Sequence, residues 1–202
     1  MGTEFLFTIL DLTGTFVFAI SGAEAAKERE LDLFGMAFVA FLTACGGGII
    51  RDICIGVTPP VGISYWPYLL LTLIATLTVI SFHKHILKLK FPVLLFDALG
   101  LSMFTVAGTQ KSLFLGLNFE VAILLGVLSA IGGGIIRDIM LGRIPAVLRK
   151  EVYGSAALLG SVVVALNFYL QLDSVIGAWI GLISCFALRY FSIKRQWNLP
   201  RF

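Results

Sequence analysis

The residues able to do chemistry in this chain sit where water should be scarce. Arg51-Asp52 and Arg137-Asp138 each follow three consecutive glycines late in an apolar stretch. Asp11 and Asp97 interrupt two other apolar stretches. An ionisable side chain within a bilayer is costly unless it faces protein, water or an opposite charge. Two readings of the arginine–aspartate pairs stand side by side. Either they line a polar path, or each ends its helix at the interface while the arginine snorkels to the headgroups. Apolar residues continue past both pairs, Ile53 to Val57 and Ile139 to Leu141, which favours the path.

Hydroxyls accompany these charges. Thr15 lies one turn along from Asp11, and Ser21 lies further along the same stretch. Ser102 and Thr105 occupy the matching region after Asp97, and Thr43 and Ser129 each precede a glycine triplet by three residues. Singly, each can bond back to a carbonyl of its own helix. As a set, they could supply oxygen ligands to a partly hydrated cation. The triplets Gly46-Gly47-Gly48 and Gly132-Gly133-Gly134 also admit two readings. Each glycine loses roughly 1 kcal/mol against alanine in a helix interior. Close helix packing would offset that cost, and so would a kink that turns backbone groups toward a cavity. A kink lining a pathway is the expectation, with packing beside it. Phe18, Phe104 and Lys111 are gate candidates, and Lys111 also suits an ordinary interfacial anchor.

These residues need elements to hold them. Of 202 residues, 58% are hydrophobic and 13% charged. A soluble domain carries about 25% charged residues, so the bilayer is the natural solvent. A stretch of about 20 apolar residues crosses it as a helix. Seven such stretches run from about Phe5 to Ala26, Leu33 to Gly56, Tyr65 to Phe82, Phe91 to Gln110, Val121 to Gly142, Val152 to Leu170 and Val175 to Phe191. Spanning segments must satisfy every backbone amide internally, and short alternating strands are absent, so the expected class is an all-α integral membrane protein. No basic segment precedes the first apolar run, so no cleavable leader is expected.

Lysine and arginine set the orientation. Twelve of the fifteen fall on one side: Lys27, Arg29, Lys84, Lys88, Lys90, Arg143, Arg149, Lys150, Arg189, Lys194, Arg195 and Arg201. Only Lys111 falls clearly on the other, with Arg51 and Arg137 set aside as lying at or inside the membrane. The C-terminus is therefore expected in the cytoplasm and the N-terminus outside. Depth then groups the charges. Asp11 and Arg51-Asp52 share the outer half, and Asp97 and Arg137-Asp138 the inner half. Each cluster holds two carboxylates and one guanidinium, and a net negative mouth favours cations.

The chain repeats itself. Gly46-Gly47-Gly48-Ile49-Ile50-Arg51-Asp52-Ile53 recurs letter for letter 86 residues later, from Gly132 to Ile139. The same offset carries Asp11 onto Asp97, Gly14 onto Gly100, Phe18 onto Phe104, Gly22 onto Gly108, Gly56 onto Gly142 and Pro59 onto Pro145. Each unit holds three spans, an odd number, so the second enters the membrane upside down. The expected organisation is a first three-helix repeat over 1–90, an inverted second over 91–171, and a seventh helix with a basic tail over 172–202.

A three-helix unit reading D-x-x-G-x-x-x-F, then G-G-G-x-x-R-D, then G-x-x-P, doubled in inverted form and followed by a seventh helix, resembles the prokaryotic trimeric intracellular cation (TRIC) channel family. The resemblance covers about residues 5 to 190. It implies a homotrimer with one pore in each protomer, conducting monovalent cations, chiefly potassium, beside the second and fifth helices. It implies residence among the lipids of a prokaryotic plasma membrane. Related bacterial proteins are also described as a glycine-transporter domain family.

Other functions have little machinery here. There is no P-loop, dinucleotide fingerprint, zinc motif or Ser-His pairing, so catalysis is not expected. No metal or cofactor is expected beyond a permeant potassium or sodium ion. His83 and His85 lie in the basic loop ending at Lys90, which suits anionic headgroups better than a metal. A net charge of +3 without a basic, aromatic-laced patch argues against nucleic acid. Cys45, Cys54 and Cys185 read as inert thiols. The rival to a channel is an alternating-access carrier for a small amino acid such as glycine.

Overall fold

The computed structural model describes residues 2–86, 88–89, 91–149 and 152–197. Lys90, Lys150 and Arg201, counted above among the inner basic residues, lie outside them. Nine helices and no strand occur among the described residues: α1 (Gly2–Lys27), α2 (Leu33–Cys54), α3 (Val61–Ser64), α4 (Trp66–Ile86), α5 (Pro92–Phe114), α6 (Phe119–Met140), α7 (Ala146–Arg149), α8 (Gly154–Tyr169) and α9 (Ser174–Arg195). Six of them, α1, α2, α4, α5, α6 and α9, are long and apolar enough to cross a bilayer. α8 coincides with the sixth expected span but has only 16 residues, about 24 Å of helix.

Local chemistry explains the ends. Asp32 caps α2 by accepting a 2.7 Å bond from the Gly35 amide, and Asn118, 86 residues on, caps α6 through the Val121 amide at 3.0 Å. Both helices stop before a glycine of positive φ, Gly56 at 75° and Gly142 at 63°, a conformation that costs glycine nothing. α4 departs from helical geometry at Phe82, where its apolar run gives way to His83-Lys84-His85.

α1, α2, α5 and α6 form the centre. α1 packs on α2 and α5, and α2 packs on α6. α4 covers α1 and α2, as α8 covers α5 and α6, and α9 lies outside against α5 and α8. Large apolar side chains such as Leu69, Leu73 and Leu77 on α4 and Ile180 and Ile183 on α9 point outward. Polar Thr15, Ser21, Thr43, Arg51, Asp97 and Arg137 are buried. This inside-out distribution suits a hydrocarbon surround.

The helical backbone runs through both glycine triplets without interruption. The expected packing is present at the first two glycines of each. A Cβ on Gly47 would enter the Ser129 carbonyl, and one on Gly133 would enter the Thr43 carbonyl. A Cβ on Gly132 would sit 3.0 Å from the Gly47 Cα. The third glycines differ. Gly48 meets only Arg51 Nη2 at 3.7 Å, and Gly134 faces the Tyr153 hydroxyl at 2.7 Å. Small residues thus bring α2 and α6 to backbone contact, with Gly48 left open beside Arg51 and Gly134 covered by Tyr153.

Candidate functional site

The repeated charges form two sites near opposite ends of the antiparallel pair α1 and α5. The second site is closed. Arg137 on α6 is 2% exposed. Its Nη1 lies 2.6 Å from Asp97 Oδ1 and 2.9 Å from Ser21 Oγ, and its Nε lies 2.9 Å from Asp138 Oδ1. Ser21 donates onward to the Val93 carbonyl at 3.1 Å. A buried charge is tolerable when it is paired and hydrogen-bonded; Arg137 is paired through Nε and Nη1, while Asp97 Oδ2 is buried without a partner. The expected grouping of Asp97 with Arg137 and Asp138 is present as direct contacts.

The first site is built from the equivalent residues but is open. Arg51 Nε and Nη2 both lie 2.9 Å from Asp52 Oδ1, and its Nη1 lies 3.5 Å from Ser129 Oγ. Asp11 is not ion-paired with Arg51 among the described residues; its carboxylate accepts from the Tyr68 hydroxyl. A cavity of about 470 Å³ separates the groups, lined by Asp11, Arg51, Tyr65, Tyr68, Lys111 and Phe114, among others.

Two substitutions between the repeats explain why one site is closed and the other open. Ser21, which satisfies Arg137, is matched 86 residues later by Ala107, which lines the cavity. Ala25 is matched by Lys111, whose Nζ reaches Asp52 Oδ1 at 2.8 Å. Lys111 therefore belongs to the site, which corrects its reading as an interfacial anchor. It also corrects the expected net charge. The first site sets Arg51 and Lys111 against Asp11 and Asp52, which balances.

Asp52 and Asp138 share a second duty. Asp52 Oδ2 accepts from the Val61 amide at 3.1 Å, and Asp138 Oδ2 from the Ala146 amide at 2.8 Å. Those amides begin α3 and α7, the short helices that follow each glycine helix. One carboxylate thus holds its arginine with one oxygen and a returning loop with the other.

Phe18 and Phe104 lie between the sites. Their rings stack with centroids 5.4 Å apart and planes 20° apart, and both are buried. Along α1, Asp11 faces the first site, Phe18 the stack and Ser21 the second site. Ten residues separate Asp11 from Ser21, about 15 Å of helix.

The hydroxyls follow the reading given for each singly. Thr15, Thr43, Ser102 and Thr105 donate to carbonyls of their own helices at 2.7, 2.6, 2.8 and 2.7 Å. Their protons are committed and only oxygen lone pairs remain. Ser129 faces Arg51 instead.

Several contributors escaped the sequence reading. Tyr68 joins the first site and Tyr153 the second, where a Cβ on Gly134 would lie 2.7 Å from the Tyr153 hydroxyl and 3.6 Å from Asp97 Oδ1. The two tyrosines are 85 residues apart, not 86, because the register slips by one in the preceding loop. A search at that offset finds them. Glu24 is completely buried, with Oε1 3.1 Å from His83 Nδ1, so His83 is tied to α1 rather than left in a headgroup-facing loop.

The family model for the glycine transporter matches residues 8–84 and again 94–168. Its two copies begin 86 residues apart. A membrane protein of Vibrio cholerae from the group UPF0126 is 35% identical over 200 residues, covering 98% of this chain and 83% of that one. The inner membrane protein YadS of Escherichia coli K12 is 32% identical over 197 residues, covering 96% and 94%. The solved TRIC trimeric intracellular cation channel orthologue from Rhodobacter sphaeroides superposes with a TM-score of 0.89 at 32% identity, covering 95% of this chain and 99% of that one.

Proposed function

The chain belongs to the glycine-transporter family of membrane proteins, and from that membership and its likeness to the TRIC channel we propose that it is a monovalent cation channel. Potassium is the proposed ion, and the reading calls for no cofactor beyond it. The proposed path runs within one protomer, between α1, α2, α5 and α6. The observation that carries it is the alignment of two buried arginine–aspartate sites on either side of the Phe18–Phe104 stack, with the 470 Å³ cavity at one of them. Asp11 offers the cation a carboxylate in that cavity, and the carbonyl-bonded hydroxyls Thr15 and Thr105 offer lone pairs further in. The stack and the closed Arg137 site make the gate.

We read the architecture as seven crossings, with α8 counted as the sixth. They form two inverted three-helix repeats, over 1–90 and 91–171, followed by α9. Reciprocal contacts support this. Thr43 would meet a Cβ on Gly22, and Ser129 one on Gly108, each pair 86 residues from its counterpart. We further propose a homotrimer in a prokaryotic inner membrane, N-terminus outside and C-terminus in the cytoplasm. The TRIC neighbour is described as trimeric, YadS as an inner membrane protein, and the basic residues favour that orientation.

One observation favours a second reading. The first-site cavity presents a carboxylate, Asp11, and two cations, Arg51 and Lys111. That is the complement of a zwitterion such as glycine. Planar-bilayer recording under a potassium chloride gradient, wild type beside Asp11→Asn, separates the two. Discrete openings that reverse near the potassium potential, with selectivity reduced in Asp11→Asn, carry the channel. A silent bilayer with saturable glycine uptake into liposomes overturns it in favour of a carrier.

A further inference from the structure

Arg189 is a large buried side chain that the two sites leave unexplained. It lies on α9, outside both repeats, and is 1% exposed. No carboxylate lies within ion-pair distance among the described residues. Arg137 holds Asp97 and Asp138, and Arg189 Nε and Nη2 have no hydrogen-bond partner. Its guanidinium carbon stands 4.7 Å over the Tyr153 ring, which steadies a cation but satisfies none of its N–H groups. Asp97 is near enough to act on its charge, but a buried guanidinium with open donors still favours a further anionic acceptor.

Arg189 lines a cavity of about 220 Å³ with Phe91, Leu94, Ser192, Gln196 and Trp197. That is about seven water volumes. The wall is mixed. Ser192 and Gln196 add hydrogen-bonding groups to the guanidinium, while Phe91, Leu94 and Trp197 are apolar. Lys194 and Arg195 follow in the last turn of α9. A second cavity, about 120 Å³, shares Phe91 and Ile193 with the first and is also lined by Lys194.

We propose that this cavity binds the phosphate of an anionic phospholipid, with Arg189 as its principal ligand. A planar, always-charged guanidinium suits a phosphate. The lysine and arginine beside it add the charge that draws anionic headgroups, and the apolar wall favours a lipid over free phosphate. The lipid anchors the end of α9 to α5 through Phe91 and Leu94. The guanidinium adjoins Tyr153 of the second site, but lipid binding is read by mass, without any current.

Native mass spectrometry of the full chain, delipidated and then given phosphatidylglycerol or phosphatidylcholine, tests it. Wild type is expected to retain phosphatidylglycerol at least tenfold better. Arg189→Met is expected to lose that preference. Gln196→Glu, at the exposed residue that caps α9, sets a carboxylate against the phosphate; it is expected to reduce retention several-fold. Equal retention of the two lipids by wild type overturns the proposal. So does undiminished retention in Gln196→Glu, or a thermal stabilisation produced by millimolar inorganic phosphate with no preference between lipids.

Discussion

Phe18 of α1 fills the space above Gly100 of α5, and Phe104 of α5 fills the space above Gly14 of α1. Each ring is seated on the other helix's glycine, and the two rings then stack on each other. The pairs are related by the 86-residue offset, so one packing solution is used twice at the centre of the molecule. The two glycines are not equally tight. A Cβ on Gly100 would fall within the Phe18 ring, while one on Gly14 would lie 3.1 Å from Met103 Cβ and 3.4 Å from the Phe104 ring. Gly100→Ala is therefore expected to cost about 1–3 kcal/mol of stability through overpacking, and Gly14→Ala less. Thermal unfolding in detergent reads the order. An equal or reversed order refutes the seating described.

The glycine triplets make a sharper test, because the obstacle there is backbone. Gly47→Ala and Gly133→Ala would each drive a methyl into a carbonyl across the α2–α6 contact. Neither helix can yield without separating from the other. Both variants are expected to lose folded yield, judged by size exclusion of purified protein. Gly48→Ala meets only Arg51 Nη2 at 3.7 Å and gains helix propensity of about 1 kcal/mol, so it is expected to fold as well as wild type. Poor folding of Gly48→Ala would mean that the triplet requires a kink after all.

The two arginines should differ in what their loss costs. Arg137→Met leaves Asp97 and Asp138 buried without their cation, a situation worth about 3–5 kcal/mol. Arg51→Met leaves Asp52 still bound by Lys111 and the Val61 amide, and Asp11 still bound by Tyr68. It is expected to cost clearly less. Adding Asp97→Asn to Arg137→Met is expected to return part of the loss, since one uncompensated charge is removed. Chemical denaturation monitored by tryptophan fluorescence compares the four proteins.

Much of this arrangement was legible in the letters because the chain states it twice. The repeat offset identifies Asp11, Asp97, the triplets and the aromatic pair from the sequence alone. It also placed the long helices to within a few residues, since hydrocarbon demands continuous apolar stretches. What stayed hidden is where the copies diverge. Ser21 against Ala107 and Ala25 against Lys111 are single changes with no periodic signature, yet they decide which site is closed. Tyr68 and Tyr153 were obscured by a one-residue slip in a loop. The glycine triplets were ambiguous because packing and kinking call for the same residue, and only the opposing helix distinguishes them. Arg189 enters the sequence reading only as one of the inner basic residues, because charge counting does not register burial.

Lys111 offers the most direct reading of the cavity's electrostatics. Its Nζ lies 2.8 Å from Asp52 and its side chain is 29% exposed, so it contributes a positive charge beside the Asp11 carboxylate. Lys111→Gln removes that charge, while Asp52 keeps Arg51 and the Val61 amide; the fold should hold. The cavity then becomes net negative. A unit charge at 4 Å is worth about 1 kcal/mol even in bulk water, which is about a fivefold change in local cation occupancy. Under a potassium chloride gradient the reversal potential of Lys111→Gln is expected to move toward the potassium potential, and that of Asp11→Asn away from it. Shifts in the same direction for both variants, or none for either, would remove the cavity from the conduction path and leave it as a binding pocket.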